Sequence, residues 1–238
     1  MKSVIYTFFL IVVAQNFVLA QDEFRMGVFG GLNYSTHRDT NAILDNTDDS
    51  FTHFTGGFSV EYKINEKFSL KTGLGFEKKR IDYFAKTYYT YVLESGELIL
   101  QDVDVTTKNE YKYLTIPLVV KYSFGAKKSF FANFGPYVSL LTNHDKRTTY
   151  HNLVTGNSNS RPESEFNFPF NFAFSSKEYG VSFGFGKSFA IKNKNKISIE
   201  LRNNLGLNNR IANLSSRGLS GDIKTNTINL ITEFSFGL

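Results

Sequence analysis

Residues 113–124 read YLTIPLVVKYSF. Leu114, Ile116, Leu118, Val120, Tyr122 and Phe124 fall on one side of an extended chain and Thr115, Pro117, Lys121 and Ser123 on the other, because a strand turns successive side chains to opposite faces. A soluble sheet would set such a polar face in water and confine proline to an edge. In a membrane barrel the assignment reverses: the apolar side chains meet acyl chains, and Thr115, Pro117 and Lys121 point into a polar interior. A lysine facing lipid near the midplane would cost about 2–4 kcal/mol, so Lys121 belongs inside and needs a partner there. Pro117 breaks one ladder bond, and a polar interior is where its orphaned neighbours are expected to find a substitute.

The same two-residue period recurs along the chain, and no stretch beyond the first twenty residues sustains a helical repeat. Strands are predicted at 25–36, 54–64, 68–93, 98–125, 130–143, 177–190, 196–208 and 223–238. Short connections at 65–67, 126–129 and 192–195 alternate with long polar ones at 37–53, 144–176 and 209–222. The ESGE turn at 94–97 is an apparent exception, but it joins two strands far longer than the roughly 9–11 residues that cross a bilayer, so their far halves act as an extended outer loop. The expected fold is therefore all-β: an eight-stranded antiparallel up-and-down transmembrane barrel with short periplasmic turns and long outer loops. A soluble lipocalin-like barrel has the same period with apolar residues inward. The loop asymmetry, the leader and the aromatic closing strand NTINLITEFSFGL favour the membrane form.

The leader is MKSVIYTFFLIVVAQNFVLA, with an early Lys2, an apolar run and small residues before Gln21. It reads as a signal peptide over 1–20, leaving 21–238 as one outer-membrane barrel domain. Gln15 and Asn16 interrupt the run too early for a spanning helix. The absence of cysteine excludes disulfides, thiolate metal sites and a thiol nucleophile. With 27 Lys and Arg against 22 acids, the modest excess gives no reason to expect nucleic acid as a partner. No cofactor and no metal are implied.

Charges on the inward parity of several strands predict a lumenal network of Glu61, Lys63, Lys71, Lys121, Glu200, Arg202 and Glu233, because buried charges persist only when paired. The sixth strand turns Gly180, Ser182, Gly184, Gly186 and Ser188 inward, leaving room for long side chains from opposite strands. Eight strands enclose an interior that side chains fill, so a diffusion porin is not expected.

The YLTIPLVVKY run, GPYVSLL at 135–141, YGVSFGFG at 179–186 and ELRNNLGLNN at 200–209 occur in the order found in the PorT-like outer-membrane β-barrel family of Bacteroidetes-type bacteria, which the chain resembles over nearly all of 21–238. The resemblance implies an eight-stranded barrel in the outer membrane and little about its task. The chain departs from that pattern at Asn203, which falls on the lipid-facing parity after Arg202.

The outer loops hold all four histidines, His37, His53, His144 and His151. Asp48 and Asp49 with His144 and Asp145 match the residue types with which some outer-membrane barrel proteases activate water, and a lipid A deacylase is a related alternative. Solvated loop residues account for the same pattern. Lys78, Lys79 and Arg80 follow the spanning part of the third strand and are candidates to contact lipopolysaccharide phosphates. Phe166, Phe168, Phe170, Phe172 and Phe174 form a period-two stripe suited either to extending the sixth strand or to docking a protein partner. The expectation is a non-enzymatic, side-chain-filled scaffold in the outer membrane. Its partners are lipid and lipopolysaccharide, and a protein through its loops. A loop-borne hydrolase is the alternative.

Overall fold

The computed structural model describes residues 23–39, 45–46, 51–92, 96, 98–152, 158–162, 173–191, 194–212 and 222–237. The leader 1–20, Asp48, Asp49 and Phe166, Phe168, Phe170 and Phe172 of the stripe lie outside them. Eight long strands form the barrel: β1 (Phe24–Asp39), β2 (Phe51–Lys63), β3 (Phe68–Val92), β4 (Leu98–Phe124), β5 (Phe130–Asn152), β6 (Lys177–Ala190), β7 (Lys196–Gly206) and β8 (Ile223–Gly237). Each pairs antiparallel with its neighbours in sequence, and β1 pairs with β8, so the sheet closes on itself. Closure leaves no unpaired barrel edge, as a structure without water to satisfy its backbone requires.

The turn end is compact. Between β2 and β3, Asn65 Oδ1 accepts from the backbone N–H groups of Lys67 and Phe68, both at 2.9 Å. Between β4 and β5 a single 3₁₀ turn, Ala126–Lys128, closes the hairpin. At the other end the chain builds outward. Sixteen pairs from Glu77/Tyr113 to Val92/Leu98 carry the β3–β4 ladder about 50 Å along the strands beyond Phe76. β5 follows it to Asn152 rather than ending near residue 143 as its pattern predicts, and Ser158–Pro162 adds to β5 while Asp45–Asn46 adds to β3. The result is a projecting sheet of up to five strands standing on one side of the barrel.

Polar residues face inward and apolar residues outward. Among the described residues, twenty-seven buried positions are polar or charged and eight are apolar or tyrosine, while thirty large apolar side chains are exposed. Adjacent residues make the point: Val119 is fully buried beside Leu118 at 48 % exposed, and Lys121 is buried between exposed Val120 and Tyr122. At the turn end the outward rings meet one another. Phe24 lies against Tyr62, and a run joins Phe68, Tyr122, Phe124, Phe130 and Phe185 with centroids 5.0–6.2 Å apart. Such a ring belt suits the border between headgroups and acyl chains.

Proline interrupts the wall at two neighbouring points. The β4–β5 ladder skips from Pro117/Tyr137 to Val120/Phe134, where Pro136 lacks a donor, and Gly135 brings the backbones so close that a Cβ there would lie 2.1 Å from the Leu118 carbonyl. The Pro117 carbonyl accepts from Thr72 Oγ1 at 2.7 Å. Thr72 faces Leu118 on the outward side of β3, so this bond is made outside the lumen. The isosteric change Thr72→Val should leave this carbonyl unpaired toward hydrocarbon and cost about 1–3 kcal/mol in urea unfolding from lipid vesicles; no change would mean the carbonyl is satisfied otherwise.

Candidate functional site

The lumen is an ionic core. Lys71, Lys79, Lys121, Arg202 and Arg210 are set against Glu61, Glu77, Glu178, Glu200 and Glu233, five cations with five carboxylates. Near the turn end, Lys121 Nζ donates to Glu61 at 2.8 Å and lies 4.6 Å from the centre of the Phe131 ring, while Ser69 donates to the other Glu61 oxygen at 2.7 Å. Above it, Lys71 donates to Glu233 at 2.6 Å and sits 3.9 Å from Glu200, whose two oxygens take the Arg202 guanidinium at 2.6 and 2.9 Å. The bidentate geometry fixes both partners, as arginine's planar fork does with carboxylates.

A second layer lies toward the loops. Glu178, fully buried, accepts from Lys79 at 2.6 Å and from the Tyr137 hydroxyl at 2.8 Å, with Arg210 Nε 3.6 Å away. Arg210 also donates to the Tyr113 hydroxyl and to the Lys177 carbonyl. Asn204 donates to Glu77 at 3.0 Å. β3 is the hub: Ser69, Lys71, Glu77 and Lys79 reach β2, β8, β7 and β6. Pairs that cross the interior in this way hold opposite walls together and fill the space between them.

Sequence reasoning placed some of these groups elsewhere. Lys63 shares the parity of Glu61 but is the last residue before a turn, so it is exposed at the turn-end mouth and, among the described residues, joins no lumenal pair. Lys79 is 1 % exposed and tied to Glu178, so it cannot contact lipopolysaccharide; Lys78 pairs with Glu110 at 2.6 Å and Arg80 with Asp82. The small residues of β6 make room for neighbours and not for opposite strands: Tyr137 of β5 lies over Gly180, Phe131 of β5 over Gly186 and Glu200 of β7 over Gly184. Glu77, Glu178, Arg210, Tyr113 and Tyr137 were not anticipated. Glu77 and Glu178 have the inward parity of their strands, but Arg210 lies in a connection that carries no period. Asn203, on the outward face, donates to the Asn226 side chain of β8 at 2.8 Å, so each amide has a partner there.

The loop-end candidates are held apart. The His144 ring stacks on Tyr111 with centroids 4.5 Å apart, and its Nε2 lies 3.2 Å from Asn109 Oδ1. Asp145 turns to the other face and pairs with Lys112 at 3.0 Å, and that ammonium holds its carboxyl below the ordinary range. An aspartate so held is a poor base. Among the described residues no three His, Asp or Glu side chains converge as metal ligands would.

Residues 14–212 match the model of the outer membrane protein beta-barrel domain. The chain belongs to this family. Its fold is also similar to three solved structures. One is Ail, the attachment invasion locus protein of Yersinia pestis (11 % identity, 90 % of this chain and 99 % of that one, TM-score 0.36). Another is Neisserial surface protein A (12 %, 90 % and 97 %, 0.39). The third is OprG from Pseudomonas aeruginosa (10 %, 91 % and 98 %, 0.42). No curated protein matches the sequence.

Proposed function

We propose that this protein is a non-enzymatic outer-membrane scaffold that presents its projecting sheet to a partner outside the cell, in adhesion, envelope stability or a complex. The observation that carries the reading is the pairing of an ion-filled lumen with a ladder running about 50 Å along the strands past Phe76. A filled interior serves rigidity rather than transport, and a sheet anchored on three barrel strands offers a broad, fixed surface. On this reading residues 1–20 export the chain, and the chain is of the PorT-like branch. The belt contacts lipid, with lipopolysaccharide reached by Lys78 and Arg80 alone of the basic run.

The test is to replace residues 82–108 by a short turn. The barrel should still assemble, shown by retained heat-dependent gel mobility, while attachment of cells to surfaces or cross-linking to an envelope partner falls at least severalfold. Liposomes holding the intact protein should not swell in small sugars. Swelling at porin-like rates, or attachment indifferent to the deletion, would contradict the proposal.

A further inference from the structure

The turn end of the barrel opens into a cavity of about 270 Å³ between the β2–β3 and β4–β5 turns and the starts of β1 and β7. Its lining is strongly basic. Glu61 in its floor is taken by Lys121, and Glu66 on its rim by Lys128. Arg25, Lys63, Lys67, Lys127 and Lys196 remain, against Glu23 alone. None of these four lysines forms an ion pair among the described residues. Lys127 and Lys128 adopt left-handed backbone, φ 54° and 53°, which favours glycine or asparagine, yet both positions carry lysine. Nothing in barrel closure calls for this excess of like charge around one opening, and each added cation repels the others.

We propose that this mouth binds the phosphate group of a small molecule, held by the ammonium groups of Lys63 and Lys196 with Arg25 and Lys127 beside them. The volume is that of about nine liquid waters, enough for a phosphate ester of glycerol size and too small for a folded partner. A phosphate gathers several ammonium donors at once, and its charge answers the local excess. Phe24 and Phe68, both on the lining, belong to the ring belt, so the cavity lies at the level of lipid headgroups. The phosphate can therefore come from a headgroup of the adjoining leaflet or from a soluble ester.

The experiment has two arms. In neutral-detergent micelles free of added lipid, the full barrel is titrated with inorganic phosphate and glycerol phosphate by phosphorus NMR. In phosphatidylcholine nanodiscs containing a minority of phosphatidylglycerol, retained lipid is counted by native mass spectrometry. The comparison protein is Lys63→Gln with Lys196→Gln. Removing two nearby charges should weaken saturable binding at least tenfold. Loss in the first arm identifies a soluble phosphate, and loss confined to the second a lipid headgroup. Absence of saturable binding in both arms, or equal binding by the variant, overturns the proposal. Should the double variant not assemble, Lys127→Gln in the exposed turn carries the test, with an expected severalfold loss and the same contrary result.

Discussion

Replacing Glu178 with alanine should cost the barrel about 3–5 kcal/mol, or prevent its assembly. Among the described residues Glu178 is the one carboxylate within hydrogen-bonding distance of Lys79, and it also takes the Tyr137 hydroxyl and faces Arg210. Without it, two fully buried cations are left with Glu77, 3.9 Å from Lys79, as the nearest counter-charge among the described residues. Adding Lys79→Met removes one orphaned charge, so the double variant should recover about 1 kcal/mol or more of the loss, and that coupling distinguishes a broken ion pair from simple loss of packing. Urea unfolding in lipid vesicles, followed by the heat-dependent shift in gel mobility, measures both. A cost below about 1 kcal/mol for the single variant would mean that water reaches these cations and solvates them in place of Glu178.

The second large effect is on the outer face. Leu201 is the central residue of β7, 56 % exposed and set across from Phe185 and Leu230. Leu201→Arg should cost about 2–4 kcal/mol, since an arginine at mid-depth must leave hydrocarbon or draw water into it. The next residue already is an arginine: Arg202, turned inward, has both Glu200 oxygens. One position along the strand separates a tolerated guanidinium from an intolerable one. An unchanged unfolding midpoint for the Leu201 variant would place that residue in water.

These two effects also mark what the sequence made legible. Alternation in β4 and β7 placed Lys121, Glu200 and Arg202 on one face with no knowledge of partners, because the period of two belongs to the backbone itself. Lys79 had the same parity as Lys71, but counting depth along β3 assigned it to the headgroup level, and only the inward reach of Glu178 from β6 corrects this. The far half of β5, LTNHDKRTTYHN, has no apolar alternation; it is a strand because β4 offers it an edge to pair with, and pairing of that kind is a tertiary fact. Arg210 enters the lumen from a connection, where periodicity has nothing to say. Lys63 shows the opposite failure, a correct parity carried one step past the end of the core.

The central claim is that adjacent residues of each strand face lipid and a closed interior in turn. The most direct measurement is NMR of methyl-labelled protein in nanodiscs, with a nitroxide on the lipid chains and a soluble gadolinium chelate as separate broadening agents. The chain-borne nitroxide should broaden the methyls of Leu118, Leu201 and Leu230 and spare those of Val119 and Ile231, while the chelate spares all five. Broadening of Val119 and Ile231 by the lipid probe, with Leu118 and Leu230 protected, would turn the barrel inside out and contradict the account.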